Sequence, residues 1–425
     1  MRPFTFSDNY ICALDIGSSK IAAAVAEVKR GRIKNIFLEE AVSKGVKNGA
    51  IVNSIDLIGA ISQLLKALKH KSGVNIKMLH VGLCGKDITT KHSNAIMPLS
   101  ERGNKVVTLS DIRLINEQAR ILGSSLEEEI IHQIPFGYSI DSRTKILNPL
   151  GLYSHRLEVD MYLVCGKLSF IQSLQRVINQ AGYEIKDIFF SGIAISSALL
   201  HGETKEGLTL VCDIGSDITE LSLFRHGMLN NTVVLSQGGE DLTLELCEAL
   251  NIPFALAEEV KRSYGIIGDY NDFSEDKEVL IKKNNVYKKI KQKQVSQILT
   301  TRAKAVCQAI KEAAQEIVAL EELDNFIVIG RSMITEGFLE LLEGNLGICV
   351  KMGRINQPEI ASFINKSGMA SANKYLTYFT ALGIVALGLL EKQKAQAGGF
   401  FTASAQRNPA LRALNRIKEI YQEYF

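Results

Sequence analysis

The stretch Cys12-Ala13-Leu14-Asp15-Ile16-Gly17-Ser18-Ser19-Lys20 has a counterpart in the second half of the chain, Val211-Cys212-Asp213-Ile214-Gly215-Ser216-Asp217. In both, an apolar run leads into Asp-Ile-Gly-Ser, and apolar residues then alternate with polar or small ones over 21–28 and 221–224. This pattern predicts a strand, a tight turn and a second strand in each copy. Because internal repetition indicates duplicated supersecondary units, the two copies decide the fold.

The two predicted turns have the chemistry of a phosphate site. Glycine allows a tight turn, and the exposed N–H groups and serine hydroxyls form a concavity that suits phosphate oxygens. Asp15 and Asp213 would repel phosphate directly, but each can hold Mg²⁺ through water. Two facing copies would clamp the phosphates of a nucleotide, although a single copy is equally typical of an ordinary hairpin.

Two further segments are candidates for nucleotide contacts. Gly238 and Gly239 stand at the start of a predicted helix, where N–H groups and the helix dipole favour phosphate; a simple loop before a helix is the alternative. Glu258, Lys261 and Arg262 fall on one face of the next helix. They form either a solvated, ion-paired face or a purine-nucleoside contact, with Glu258 on the ribose hydroxyls and the two cations beside the base.

Composition excludes several classes of function. The 425 residues carry 49 Lys and Arg against 46 Asp and Glu, so the net charge is only +3 and does not favour nucleic acid. The seven cysteines include no CxxC pair, which indicates reduced thiols in a reducing compartment. The histidines lack zinc-ligand spacing, and the first ten residues lack a signal-peptide core. The apolar run 375–390 is shorter than the ~20 residues of a membrane span and predicts a buried core helix.

The order of predicted elements indicates an α/β protein with an insertion. Strands and helices are predicted to alternate up to residue 85. This alternation is interrupted over about 86–163 and resumes after it. Within the insertion, Ser110 is expected to cap a helix that ends at Leu122. A long helix is expected over Ala303–Leu320.

The C-terminal stretch differs from the rest. Residues 392–406 are rich in small and polar residues, which predicts a flexible linker. A basic amphipathic helix follows, and we interpret it with equal weight as an interfacial membrane anchor or as a protein-docking helix. Its apolar stripe and flanking cations are Leu411, Leu414, Ile417, Ile420, Tyr421, Tyr424, Phe425, Arg412 and Arg416.

Together these motifs resemble the superfamily of actin, sugar kinases and heat-shock chaperones. The segment His132-Gln133-Ile134-Pro135, the following Asn148–Leu152 and the amphipathic tail are similar to the bacterial cell-division family FtsA. The resemblance implies an α/β, actin-like (ribonuclease H-like) duplicated fold with an inserted small domain and a C-terminal amphipathic helix. The implied parts are subdomain IA at 1–85 and 164–200, IC at 86–163, IIA at 201–236 and 324–391, IIB at 237–323, the linker at 392–406 and the membrane-targeting helix at 407–425.

The resemblance also implies a function. Members of the family bind ATP, polymerise into actin-like protofilaments and attach to anionic lipid through the C-terminal helix. They grip the C-terminal peptide of FtsZ on IIB, near Lys282–Lys293 here, and meet other division proteins through IC. This places the protein in the cytoplasm, peripheral on the inner face of the cell membrane at the division site. The implied nucleotide contacts are Asp15, Gly17, Ser18, Ser19, Lys20, Asp213, Gly215, Ser216, Thr219, Gly238, Gly239, Glu258, Lys261, Arg262 and Gly330, with Mg²⁺ held by Asp15 and Asp213 through water.

Several positions depart from the family pattern. Asp217 and Ile218 stand where a small residue and a threonine are usual, and Arg331 and Ser332 replace glycines of the adenine loop. Ser191 stands where many superfamily ATPases have Glu or Gln. We therefore expect ATP to bind but its hydrolysis to be weak or absent, with no assignable catalytic residue.

Two alternative functions compete with that of a division protein. One is an actin-like adaptor of type IV pilus assembly that binds a membrane protein's cytoplasmic peptide. The other is an enzyme such as a sugar kinase, for which no convincing catalytic aspartate is present. The amphipathic tail favours the division protein, because a pilus adaptor needs no lipid-binding helix of its own.

Overall fold

A computed structural model describes residues 10–100, 103–141, 145–268, 278–283, 286–370 and 373–404. Its first half begins with a meander followed by a helix and a parallel strand. The elements are β1 (Tyr10–Ile16), β2 (Lys20–Lys29), β3 (Arg32–Val42), β4 (Val46–Lys47), β5 (Ala50–Ile51), α1 (Ser54–Ser72) and β6 (Met78–Leu83). Helix α1 starts where the Asn53 side chain accepts hydrogen bonds from the N–H groups of Ile55 and Asp56 at 3.1 and 3.2 Å.

The predicted insertion is a small α/β domain with its own core. It comprises β7 (Ile88–Pro98), β8 (Lys105–Val106), α2 (Leu109–Leu122), β9 (Glu128–Ile140), β10 (Tyr153–Ser154) and β11 (Arg156–Lys167). Strand β11 lies between β7 and β9 in an antiparallel sheet. The chain then returns to the first half with α3 (Leu168–Gln180), β12 (Glu184–Phe190) and α4 (Ser191–Leu199).

The second half repeats the topology of the first. Its elements are α5 (Glu203–Glu206), β13 (Leu208–Ile214), β14 (Thr219–Arg225), β15 (Met228–Leu235), α6 (Gly239–Leu250), α7 (Phe254–Tyr264), β16 (Glu278–Lys283), β17 (Val286–Lys291), α8 (Gln292–Ile317), β18 (Asn325–Ile329), α9 (Phe338–Leu346), β19 (Val350–Met352), α10 (Pro358–Lys366) and α11 (Phe379–Ser404). Within the described residues, the sheets run β3-β2-β1-β6-β12 and β15-β14-β13-β18-β19. In each, an antiparallel meander meets a strand parallel to its first member, so the predicted duplication is confirmed.

Three element predictions need correction. Helix α2 is capped by Thr108, not Ser110, because the Thr108 side chain and Asp111 bond reciprocally in a capping box. Helix α8 begins at Gln292, well before Ala303, because Val295 and Leu299 continue its buried stripe. Helix α11 continues to Ser404, so the backbone from 392 is helical where a linker was expected. Alanine, lysine and glutamine are good helix formers and extend a helix that is already nucleated.

The apolar helix near the C-terminus is a core element, as predicted. Residues 374–393 are long and apolar enough to cross a membrane, yet 67% of the apolar window is buried inside the protein. Helix α11 packs on α4 and on the first sheet, with Ala381, Leu382, Ile384 and Val385 buried. The predicted membrane-contacting residues, from Leu411 to Phe425, lie outside the described residues.

Candidate nucleotide site between two hairpin turns

The two Asp-Ile-Gly-Ser stretches form matching turns. The N–H of Gly17 donates to the Lys20 carbonyl at 3.0 Å, and the N–H of Gly215 donates to the Ile218 carbonyl at 2.9 Å. A Cβ added at Gly17 would lie 3.0 Å from the Lys20 carbonyl oxygen, and one at Gly215 would lie 2.8 Å from that of Ile218. A side chain at Gly215 would require the backbone to shift, and one at Gly17 would be tightly packed against it. The predicted strand–turn–strand units are confirmed.

Acidic side chains gather where the two strands end. Burial raises the pKa of Asp15, and the nearby Lys20 ammonium opposes that rise. The pKa of Asp213 is raised to about 6, first by burial and then by the charge of Asp15. Glu220, opposite Asp213 in the β13–β14 register, is 3% exposed, and burial raises its pKa to about 7. Carboxylates of this kind have the chemistry that a divalent cation requires.

The Lys20 side chain connects the first turn to the residues just before helix α11. Its ammonium donates to the backbone carbonyl of Thr377, just before that helix. Burial lowers the pKa of Lys20, whereas the charge of Asp15 raises it. The second turn has Ile218 at the matching position, so this turn lacks an equivalent cation of its own.

The start of helix α6 is bound to the second turn. The N–H of Gly239 donates to the Gly215 carbonyl at 2.9 Å, and the N–H of Glu240 donates to the Ser216 carbonyl at 2.6 Å. The N–H of Gly238 donates to the Asp241 carboxylate at 2.8 Å. The N–H groups expected to meet phosphate at this helix start therefore already have protein acceptors.

Glu258, Lys261 and Arg262 form an ion-paired network. The Glu258 carboxylate lies 2.7 Å from the Lys261 ammonium and 2.9 Å from the Arg262 guanidinium. Lys261 also donates to the Gly239 carbonyl at 2.8 Å and to the Thr243 hydroxyl at 2.7 Å. These contacts tie α7 to α6, and the Lys261 side chain is only 11% exposed, so at this residue the face is ion-paired but not solvated as the alternative had it. Their contact with a nucleoside stays a prediction.

The residues that depart from the family pattern cross or fill the cleft. Arg331 donates from Nη2 to the Ser19 hydroxyl at 2.9 Å, and Asp217 accepts the N–H of Asn48 at 2.5 Å. The Ser332 hydroxyl lies against Gly239 and donates to the Gly215 carbonyl at 3.4 Å. Sequence reasoning missed Asn48, although Asn48-Gly49 is a hairpin-turn signal that could have drawn attention to it.

These contacts test whether the chain fits the Mg²⁺–ATP that its fold family implies. Asp15, Asp213 and Glu220 suit the cation. The phosphate donors at α6 do not fit, because they are bonded to the second turn, and the Thr219 hydroxyl donates to the Gln237 carbonyl at 2.7 Å. The Arg331 side chain binds the first turn at Ser19, and the Asp217 side chain of the second turn binds the β4–β5 turn at Asn48. The arrangement therefore does not fit a nucleotide.

Comparison with known proteins identifies the domains. Residues 85–165 match the model of the SHS2 domain inserted in FtsA, and residues 210–372 match the model of cell division protein FtsA, so that the two together cover more than half of the chain. The chain is 26% identical over 405 residues to cell division protein FtsA of Streptococcus pneumoniae, covering 94% of this chain and 88% of that protein.

Solved structures of similar fold include one that superposes well on this chain. The PilM–PilN type IV pilus biogenesis complex superposes with a TM-score of 0.60 at 15% identity, over 89% of this chain and 98% of that one. Another similar structure is MreB5 of Spiroplasma citri bound to ADP, with a TM-score of 0.48 at 10% identity, over 86% and 98% of the two chains. The first similarity shows the actin-like fold.

Proposed function

Because this chain belongs to the FtsA family of bacterial cell-division proteins, we propose that it assembles with copies of itself and tethers FtsZ to the cytoplasmic face of the membrane. The observation that carries the proposal is the SHS2 insertion at 85–165, which stands beside an actin-like core and has a hydrophobic core of its own. An actin-like fold without this domain would leave filament proteins, chaperones and sugar kinases equally open.

The inserted domain has the surface of an interaction module. Helix α2 leaves Leu114, Ile121 and Leu122 more than half exposed, and the following Leu126 is 95% exposed. Apolar side chains grouped on one exposed face are typical of protein–protein contacts. We assign this face to another division protein or to a neighbouring copy of the chain.

The FtsZ peptide is assigned to subdomain IIB. Strands β16 and β17 form an antiparallel hairpin whose sequence is rich in lysine, from Lys282 to Lys291, and Lys293 follows on α8. Among the described residues of this hairpin, an ion pair joins Lys289 to Glu278 at 2.7 Å, and both side chains are exposed. The excess of positive charge suits an acidic peptide.

The membrane contact is assigned to residues 407–425. A short amphipathic helix binds lipid reversibly, and its basic residues strengthen the contact with anionic headgroups. Many copies along one filament would multiply this weak affinity through avidity. Self-assembly and membrane attachment would therefore reinforce each other.

Sedimentation with vesicles tests the tether. The full-length chain should pellet with vesicles that contain phosphatidylglycerol and much less with phosphatidylcholine alone. Leu414→Glu with Ile417→Glu should reduce pelleting about tenfold or more, because two charges enter the apolar stripe. The matched control, Asn415→Glu, adds charge on the polar side and should reduce pelleting far less. Pelleting that survives the double change would assign the tail to protein docking instead.

The same assay separates the tether from a pilus adaptor. A fluorescent FtsZ C-terminal peptide should pellet only when both vesicles and this protein are present. A pilus adaptor would instead remain in the supernatant until vesicles carried the cytoplasmic peptide of its membrane partner. The structural similarity to PilM–PilN concerns the fold alone and does not favour that alternative.

A further inference from the structure

We propose that the cleft between the two halves of this protein is held closed by a built-in clasp of Asp217 and Arg331, which takes the place of nucleotide phosphates. Asp217 bonds Asn48, and Arg331 bonds Ser19. Both bonds join the second half to the first. The two halves are therefore linked without a ligand, and this holds independently of the membrane function proposed above.

The Asp217 half of the clasp is an anion seated on a backbone donor. Asn48 and Gly49 have φ of 50° and 74° and form the two-residue loop between β4 and β5, as a type I′ turn requires. The N–H of Asn48 points to the Asp217 carboxylate at 2.5 Å, and Asp217 is only 8% exposed. The hydrogen bond from an N–H to a buried carboxylate is charge-assisted. The negative charge of the carboxylate also repels phosphate from the same place.

The acceptor loop is firmly seated in the first half. A Cβ on Gly49 would lie 2.6 Å from the Cys84 carbonyl oxygen and 2.7 Å from the Gly85 Cα, so the turn packs directly on the end of β6. The N–H of Gly49 also approaches the Ser18 hydroxyl at 3.5 Å. The Asp217 bond thus connects two rigid hairpins rather than two free loops.

The Arg331 half of the clasp is a cation that reaches the opposite phosphate loop. Arg331 follows Gly330, whose φ of 107° turns the chain sharply after β18. Its guanidinium then donates to the Ser19 hydroxyl at 2.9 Å. Arg331 is half-buried, and its pKa is lowered by burial, while Glu40 and Glu258 oppose that shift. Arginine keeps its charge in such surroundings, so a permanent cation lies between the two turns.

The remaining walls of the cleft support the same conclusion. Ser332 fills the space over Gly239, and the N–H groups of Gly239 and Glu240 donate to the second turn. Asp217, Arg331 and Ser332 are three of the positions where this chain departs from the family's small residues. All three make contacts that a bound nucleotide would have to break.

Replacement of the clasp by the family's small residues tests the proposal. We expect the melting temperature of the wild-type chain not to change with millimolar Mg²⁺–ATP, and titration calorimetry to show no saturable heat. The Asp217→Gly/Arg331→Gly double variant should melt several degrees lower without nucleotide and should gain a saturable response to Mg²⁺–ATP. Arg225→Ala, which removes a charge at an exposed strand end, is the control and should behave as the wild type.

Each outcome of that experiment decides a part of the proposal. Saturable binding of Mg²⁺–ATP by the wild type would overturn the proposal. A double variant with the same melting temperature as the Arg225→Ala control would also overturn it. A double variant that melts lower but gains no nucleotide response would overturn the substitution for phosphate. If the wild type binds ATP and still pellets with vesicles, the clasp fails while the tether stands.

Amide hydrogen exchange on the wild type gives an answer even if the double variant does not fold. The N–H groups of Asn48, Gly239 and Glu240 should be protected in the nucleotide-free chain, because each donates to an oxygen within the protein. Addition of Mg²⁺–ATP should leave their exchange unchanged. Rapid exchange at Asn48 without nucleotide, or new protection at the two turns with it, would contradict a closed clasp.

Discussion

The first and second hairpin turns have the same backbone hydrogen bond and the same Asp-Ile-Gly-Ser residues, and they differ in the two residues that follow and in the residue opposite the aspartate. Each turn is closed by a glycine N–H that donates to the carbonyl three residues on. The first turn carries Lys20, whereas the second has Ile218 at that position. Opposite Asp15 in the strand register lies Ala22, whereas opposite Asp213 lies Glu220.

This difference shows that duplication preserved the geometry but not the electrostatics. The first turn compensates its aspartate with an ammonium held between Asp15 and the Thr377 carbonyl. The second turn places a second carboxylate beside its own aspartate. It also turns the carboxylate of Asp217 toward the first half. A symmetric phosphate clamp is therefore not what the two copies form.

Substitution of Lys20 in the first turn and of Ile218 at the matching position of the second should give the largest difference in the free energy of unfolding. Lys20→Met removes the hydrogen bond to the Thr377 carbonyl and the charge that opposes Asp15, and should lower the free energy of unfolding by about 3 kcal/mol, as for a lost hydrogen bond of a buried charged group. Ile218→Met is a volume-conserving change and should cost less than about 1.5 kcal/mol. Urea denaturation at pH 7 measures both. Equal losses would mean that Lys20 contributes only packing.

The second-largest expected difference between the two hairpins is in the pH dependence of stability. The pKa of Glu220 is raised from 4.5 to about 7 in the folded chain, so the folded state binds its proton more tightly than the unfolded state. Stability from this group is fully present below pH 4.5 and is lost as the pH rises to about 7, by about 3 kcal/mol at most.

Glu220→Gln should remove that loss, because an amide does not titrate. Unfolding curves between pH 4.5 and 8 should show a smaller fall in stability for the variant than for the wild type. Ala22 stands at the matching position of the first hairpin, so Ala22→Ser is the control and should leave the wild-type pH slope in place. If the Glu220→Gln variant keeps the full slope of stability against pH, that slope belongs to Asp213 or to another group.

The smallest expected effect concerns the first residue after each turn. Thr219 donates its hydroxyl to the Gln237 carbonyl at 2.7 Å, whereas Ile21 fills the equivalent place in the first hairpin. Thr219→Val should cost about 1 kcal/mol through the lost hydrogen bond. Thr219→Ser keeps the hydroxyl and should lose only the contribution of the buried methyl group. If Thr219→Val is as stable as the wild type, the bond to Gln237 adds nothing to the fold.

Much of the fold could be predicted from the sequence, because its signals are local. The hairpins follow from Gly17 and Gly215 between alternating runs. The predicted cap at Ser110 was wrong because two hydroxyl residues stand near the helix start, and only the reciprocal bond with Asp111 selects Thr108. The start of α8 was predicted too late, because its first buried residues directly follow the lysine-rich segment and were assigned to that segment instead of to the helix.

The candidate site could be predicted only in part. The turns, their aspartates and the helix start at Gly239 were located correctly as elements, and their role in binding stays a prediction. The contacts across the cleft join residues 169 and 312 positions apart, Asn48 with Asp217 and Ser19 with Arg331. Substitutions at 217 and 331 were visible in the sequence as departures, but their partners were not.

By itself, the sequence determined the duplicated turns, the insertion between them and the acidic residues at the strand ends, because glycine geometry and strand periodicity act over a few neighbouring residues. The tertiary structure alone decided where the donors of the site point. The N–H groups at the start of α6, the Lys20 ammonium and the Arg331 guanidinium could each serve a ligand or the protein. Packing within the second half supplies the carbonyls and the carboxylate that the α6 N–H groups bind. The Thr377 carbonyl and the Ser19 hydroxyl reach Lys20 and Arg331 from distant parts of the chain, because buried donors take the acceptors that the fold supplies.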